Sequence, residues 1–226
     1  PPVEEILSRV AQRIFGTAGK SAALQAWRLF GEAFDPYPFS NTVLYYTPAN
    51  RAPVIPWNFP KKGIPMPVCC LALPPGDILD NWVQPFGAEL VLHCYEEVLS
   101  RWEEGLECLG KALRASNPPS LGPPSTAERE MIVAQAFGHH IRSTVHFLRF
   151  AIARDAYEEA GTDLREEQGP IWLETMHQTI EAEVANRLAY VPLVRADARL
   201  GYHSEAEDYF FTADEIAQSI EQLEEL

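Results

Sequence analysis

TAEREMIVAQAFGHHIRSTVHFLRFAIARDAYEEA, residues 126–160, is the stretch whose reading decides the fold. It contains no proline, and Gly138 is its only glycine. Ser125 and Glu128 have capping-box spacing, and Glu128 and Glu130 place negative charge in the first turn. Gly161 follows as a stop signal. A helix of this length spans roughly 50 Å. Ala134, Phe137, Ile141, Thr144, Leu148, Ala151 and Ile152 recur at helical spacing and form one apolar face. Phe147 and Phe150 fall outside it. Apolar residues on more than one side predict burial on more than one side, so the helix is expected at the centre of the molecule.

Other helices follow from the same periodicity. Val3, Ile6, Leu7, Val10 and Ile14 mark an amphipathic helix stopped at Gly16. A second helix is expected to turn Leu24, Trp27, Phe30 and Phe34 inward. Residues 85–115 read as a third, with Val91, Tyr95, Val98, Trp102, Leu106, Leu109 and Leu113 on its apolar side and a glutamate-rich polar face. Asn117-Pro118-Pro119 breaks the chain before the central helix. After Gly161 an acidic connection leads to Pro170 as a first helical residue, and Leu173, Met176, Ile180, Val184, Leu188 and Val191 carry that helix back to Pro192. Residues 193–200 read as a further helical piece and residues 201–211 as a packed loop. Thr212 and Glu215 form a capping box for a last helix that turns Ile216, Ile220 and Leu223 inward.

Residues 35–84 differ from the rest. Proline recurs throughout and prevents long helices and central strands; short strands are expected at 43–46 and 68–73. Tyr37, Phe39, Tyr45, Tyr46, Trp57 and Phe59 supply too much apolar surface for disorder, so an ordered extended layer is expected. The fold class is therefore mainly α. It is an irregular multi-helix bundle with a Pro- and aromatic-rich layer, read as one domain over 1–226 with a long-helix core at 85–226. The chain begins Pro1-Pro2 and runs straight into a helix, so a processed chain or part of a longer one is expected.

The formal net charge of −14 argues against nucleic acid and anionic membranes as partners, since both are polyanions. No apolar run is long enough to span a bilayer. The four cysteines form no metal or redox motif. Cys69 and Cys70 are adjacent, and Cys94 and Cys108 lie roughly 21 Å apart along one helix. Gly19-Lys20-Ser21 resembles the end of a phosphate-binding loop, but Ile14 occupies the position of the required first glycine, and a helix precedes it where the motif needs a strand.

Two groups of residues are candidate ligand contacts. Gln135, His139, Arg142, His146 and Arg149 fall on one line of the central helix. They are either a site or a set of cations paired with carboxylates of neighbouring helices. In the Pro-rich layer, Tyr45, Tyr46 and Trp57 would stack on sugars while Asn50, Arg51 and Asn58 supply hydrogen bonds; alternatively the rings cover the helices. No nucleophile motif and no His-Glu-x-x-His occurs. His139 and His146 are about 10 Å apart along the helix, too far to share one metal. No cofactor is implied. A carboxylate pair for glycoside hydrolysis is defined by separation in space, which sequence does not supply.

WRLFGEAFDPYPF, VLYYTPANRAP, HHIRSTVHFLRF and VPLVRADARLGYHSEAEDYFFTADEI together resemble the C-terminal helical region of large microbial multidomain glycoside-hydrolase-like proteins. The resemblance implies an accessory helical domain that packs on a (β/α)-barrel catalytic domain, of the same or a partner chain, and lines its sugar cleft. The reaction would then belong to barrel carboxylates. The alternatives are a self-standing helical interaction module and a small-molecule enzyme using the His/Arg line.

Overall fold

The computed structural model describes residues 1–45, 50–65, 76–116, 123–204 and 207–226. Among them the chain is mainly helical, as expected. The helices are α1 (Val3–Glu32), α2 (Asn41–Tyr45), α3 (Asp80–Val83), α4 (Ala88–Ala115), α5 (Thr126–Glu159), α6 (Thr162–Ala196) and α7 (Ala213–Glu224). Short 3-10 turns occupy Ala52–Val54 and Ala198–Gly201, and β1 (Tyr202–His203) pairs antiparallel with β2 (Asp208–Tyr209).

Two local readings are corrected. The strand expected from Val43 is the helical turn α2 as far as Tyr45, because Ser40 caps it: its hydroxyl accepts the Val43 amide at 3.2 Å. The strand expected at 68–73 lies outside the described residues, as does Tyr46. Helix α6 does not begin at Pro170 but eight residues earlier, at Thr162. Arg165 stabilises that extra segment by donating to the carbonyls of Tyr157, Glu158 and Ala160, the last turn of α5. Pro170 removes one helical donor, and its partner carbonyl, on Glu166, is at the exposed side of the helix. Pro192 also lies inside the helix, which ends at Ala196.

The described residues form two compact units: Pro1–Tyr37 with Glu97–Gly138, and Pro38–Glu96 with His139–Leu226. Helices α4 and α5 each give one part to each unit.

The first unit packs by small residues. Helix α1 breaks at Gly16, whose φ of 68° favours glycine, and resumes behind it. Ala11, Phe15, Ala23 and Ala26 then meet Cys108, Leu109 and Ala112 of α4 and Ala127 and Ala134 of α5. A Cβ on Gly19 would stand 2.6 Å from the Ala112 carbonyl oxygen, so the two backbones approach because neither side chain intervenes. The inward line is shifted from the expected one. Leu24, Trp27 and Phe30 flank the cluster half-buried, and Phe34 is exposed. Phe30 packs on Trp102 with ring centroids 4.2 Å apart, and the Trp102 indole donates to the Ala134 carbonyl at 2.8 Å.

The second unit is built around the C-terminal part of α5. Residues 143–148 are all buried, so the two-sided apolarity of the sequence does correspond to a surrounded helix. Helix α6 returns beside it, since His139 meets Asn186 while His146 meets Glu183. Helix α7 carries the expected capping box, with the Glu215 amide on Thr212 Oγ1 at 3.2 Å and the Thr212 amide on Glu215 Oε2 at 2.8 Å. Ile216, Ile220 and Leu223 are buried as expected, and so are Phe210 and Phe211 at the end of the hairpin.

Candidate functional site

The line of polar residues on α5 faces a second line with the same spacing on α6. His139, Arg142, Ser143 and His146 stand at i, i+3, i+4 and i+7, and so do Glu183, Asn186, Arg187 and Tyr190. Side chains three and four apart share one helix face, so antiparallel packing brings the two sets together.

Glu183 is fully buried and is the hub. One carboxylate oxygen accepts from Ser143 Oγ at 2.7 Å and from Arg187 Nε at 2.7 Å. The other accepts from His146 Nδ1 at 2.8 Å, which fixes the proton on that nitrogen because a carboxylate only accepts. Burial pushes the Glu183 carboxyl up, but the Arg187 guanidinium and the His146 hydrogen bond outweigh it and hold the carboxyl below its ordinary value. Arg187 is itself buried. It donates from Nη1 to the Ser219 carbonyl of α7 at 3.3 Å, and its guanidinium lies 5.9 Å from the Trp57 ring centroid.

Asn186 extends the cluster. Its amide oxygen accepts from His139 Nδ1 at 2.7 Å and from Arg142 Nη1 at 3.1 Å, while its amide nitrogen donates to the His139 carbonyl and to Ser143 Oγ, both at 3.0 Å. His139 Nδ1 also lies 3.3 Å from Arg142 Nη1. It cannot donate to Asn186 and accept from arginine at once, and the shorter contact decides for donation. Burial, with Arg142 nearby, keeps the His139 ring below its ordinary titration range and therefore neutral at pH 7, against the pull of its bond to Asn186. The His139 ring stacks on Tyr190 at 5.6 Å between centroids, and burial raises the Tyr190 hydroxyl well above its usual range.

A second cluster fastens the Pro-rich layer to α5. Asp77 accepts from the backbone amides of Lys62 and Ile64 at 2.6 and 2.8 Å and from the Asn58 amide at 3.1 Å. Burial opposes its charge, yet these donors and the nearby Arg154 hold its carboxyl below the ordinary value. Arg154, fully buried, donates to the Asp77 carbonyl at 2.8 Å and to Asp155 at 2.8 Å. Lys61 closes the clamp on Asp155 at 2.8 Å.

The candidate contacts are thus distributed as follows. His139 and Arg142 meet at Asn186, His146 joins the same cluster through Glu183, and Arg149 turns outward to Glu96 at 2.7 Å. Trp57 is buried on Phe150, 4.7 Å between centroids, and Asn58 is buried in the Asp77 clamp. Tyr45 is exposed, with its carbonyl accepting from Asn50 at 3.3 Å. Tyr46 lies outside the described residues. Sequence reasoning missed Glu183, Asn186 and Arg187, although their spacing repeats that of the α5 line and was available as a signal. It also missed Asp77 and Arg154.

Chemically, the α5/α6 cluster holds a hydroxyl, a carboxylate and an imidazole, but Ser143 Oγ spends its proton on Glu183 and is inaccessible to water. Such a seam fixes the register of the helices. Among the described residues no group of His, Cys, Asp and Glu is placed to hold a metal ion, and no helix is long and apolar enough to cross a membrane. No family model, no curated protein and no solved structure matches the chain.

Proposed function

We propose that this chain is a helical accessory domain of a carbohydrate-active hydrolase, which packs against the catalytic barrel and leaves the chemistry to it. The observation that carries the reading is the first half of α1. Val3, Ile6, Leu7 and Val10 occupy one helix face and are 65, 46, 41 and 40 % exposed. A contiguous apolar stripe on a water-facing helix marks a protein contact, and Glu5 pairing with Arg9 gives it a polar edge. The four sequence phrases supply the kind of partner. The polar clusters of the second unit favour the same reading, since their charged groups are engaged with one another in the interior. Lining of a sugar cleft is the finer part of the proposal and rests on Tyr45, whose ring is exposed beside Asn50.

The test joins gene structure to hydrogen exchange. The coding sequence that flanks this chain is expected to contain a barrel. In the protein carrying that barrel, amide exchange at residues 3–10 slows by about tenfold or more relative to the chain alone, and Leu7→Glu removes the slowing. A gene without a barrel, or a barrel that leaves exchange unchanged, replaces this reading with a self-standing interaction module. Turnover of aryl glycosides by the pure chain would contradict the accessory role.

A further inference from the structure

A groove of about 360 Å³ runs along α6 in the second unit. Leu173, Met176, Ile180 and Val184 form its α6 wall, and Phe59, Phe150 and Leu223 line it from other parts of the chain. Three of its apolar lining residues, Met176, Leu223 and Phe150, are nearly inaccessible. The lips are apolar too, with Leu173, Phe59 and Leu226 about 40 % exposed. The α6 wall covers three helical turns, roughly 16 Å, which is the span of anchors at i, i+4, i+7 and i+11 on one amphipathic helix.

The charge around the groove has one sign. Among the described residues Glu181 and Glu224 line it, with His177 beside Glu181 at 4.0 Å, and neither lysine nor arginine does. The last turn of α7 carries no basic residue, and Glu221 and Glu225 lie close to Glu224 in the chain. The whole chain carries −14.

We infer that this groove is a docking site for a basic amphipathic helix of a partner protein. Apolar side chains on one face of the partner helix fill the groove, and flanking lysines or arginines meet Glu181 and Glu224. The argument is independent of the α1 stripe, which lies in the other unit. A fatty acyl chain would bring its own anionic head against the two glutamates, and a second copy of this chain would bring an acidic rim against an acidic rim. Both arrangements set like charges together.

The probe is a fluorescein-labelled synthetic peptide of about 16 residues, with leucines at the anchor positions and lysine and arginine on the polar face. Its twin carries glutamate in place of the cations, and binding is read by fluorescence anisotropy. The basic peptide is expected to bind about tenfold or more tightly than the acidic twin, and added salt should weaken it. Leu173→Asp adds a negative charge yet should weaken the basic peptide by about tenfold, because the apolar wall is lost. Glu181→Lys with Glu224→Lys, both exposed, should reverse the preference between the twins. That pair of substitutions keeps the test alive if Leu173→Asp does not fold. Equal binding of the twins, or basic-peptide binding untouched by these substitutions, overturns the inference. Displacement of the peptide by lauric acid would assign the groove to a lipid instead. Concentration-dependent dimerisation removed by Leu173→Asp would assign it to a second copy.

Discussion

In the first unit Ala11, Ala23, Ala26 and Ala112 close around Phe15 and Leu109, and no buried charged side chain is found among its described residues. In the second, Asp77, His146, Arg154, Glu183 and Arg187 are all nearly inaccessible to water. Both units use long helices, yet one is held by close backbone approach and the other by a lattice of paired polar groups. Close approach through alanine and glycine is sensitive to volume and indifferent to pH. A buried ion pair is sensitive to the loss of either partner, because the survivor is left charged without water.

The largest effect expected from this contrast is at Arg187. Arg187→Ala leaves Glu183 buried without its cation and should cost about 3–5 kcal/mol in chemical denaturation. Replacing both partners by apolar residues, Glu183→Leu with Arg187→Met, should cost much less, since no charge is left behind. A single variant as mild as the double would show that the seam does not depend on the pair.

Acid should separate the units next. Glu183, Asp77 and His139 all titrate in the folded chain below their ordinary values of 4.5, 3.8 and 6.5. The unfolded chain therefore takes up protons first as pH falls. The stability these groups contribute is full above those ordinary values and is lost as pH drops towards and through the lower folded ones, His139 acting first. Hydrogen exchange at residues 139–154 should accelerate on acidification before exchange in the α1 core does. Equal acid sensitivity in the two units would remove the distinction.

A volume change should do the reverse. Gly19→Val pushes a side chain against the Ala112 carbonyl and should destabilise by about 1–3 kcal/mol, with little dependence on pH. An unaltered unfolding midpoint would mean that α1 and α4 can part without cost.

The smallest effects are expected along the outer part of the α5 line. Arg142 is half-buried on an amide, so Arg142→Ala should cost about 1–2 kcal/mol, less than a buried carboxylate pair would. It should also move the His139 titration upward, since Arg142 is one of the groups that depress it. An NMR titration that leaves His139 unmoved would detach Arg142 from the cluster. Arg149→Ala breaks an exposed pair with Glu96 and should cost under about 1 kcal/mol.

The amino-acid order alone determined the features that depend on near neighbours. Gly16 was readable as a break because a positive φ suits glycine, Thr212 and Glu215 as a cap because they are three residues apart, and α5 as a helix buried on more than one side because its apolar residues exceed one face. His139, Arg142 and His146 were readable as a line for the same reason. Pro170 was misread because a proline suggests a helix start, whereas Arg165 reaching back to the end of α5 lets the helix begin earlier. The tertiary structure alone decided what each face meets. Periodicity gave Val3, Ile6, Leu7 and Val10 a common face but not whether anything covers it, and Trp57 an apolar ring but not its seat on Phe150. Glu183 and Arg187 became partners of the α5 line only through the register of α5 against α6. A slip of one residue along either helix rotates each side chain by about 100° and would turn Glu183 away from His146. Dihedral preference, capping and periodicity act over a few residues, whereas burial and charge state are set by groups brought in from far along the chain.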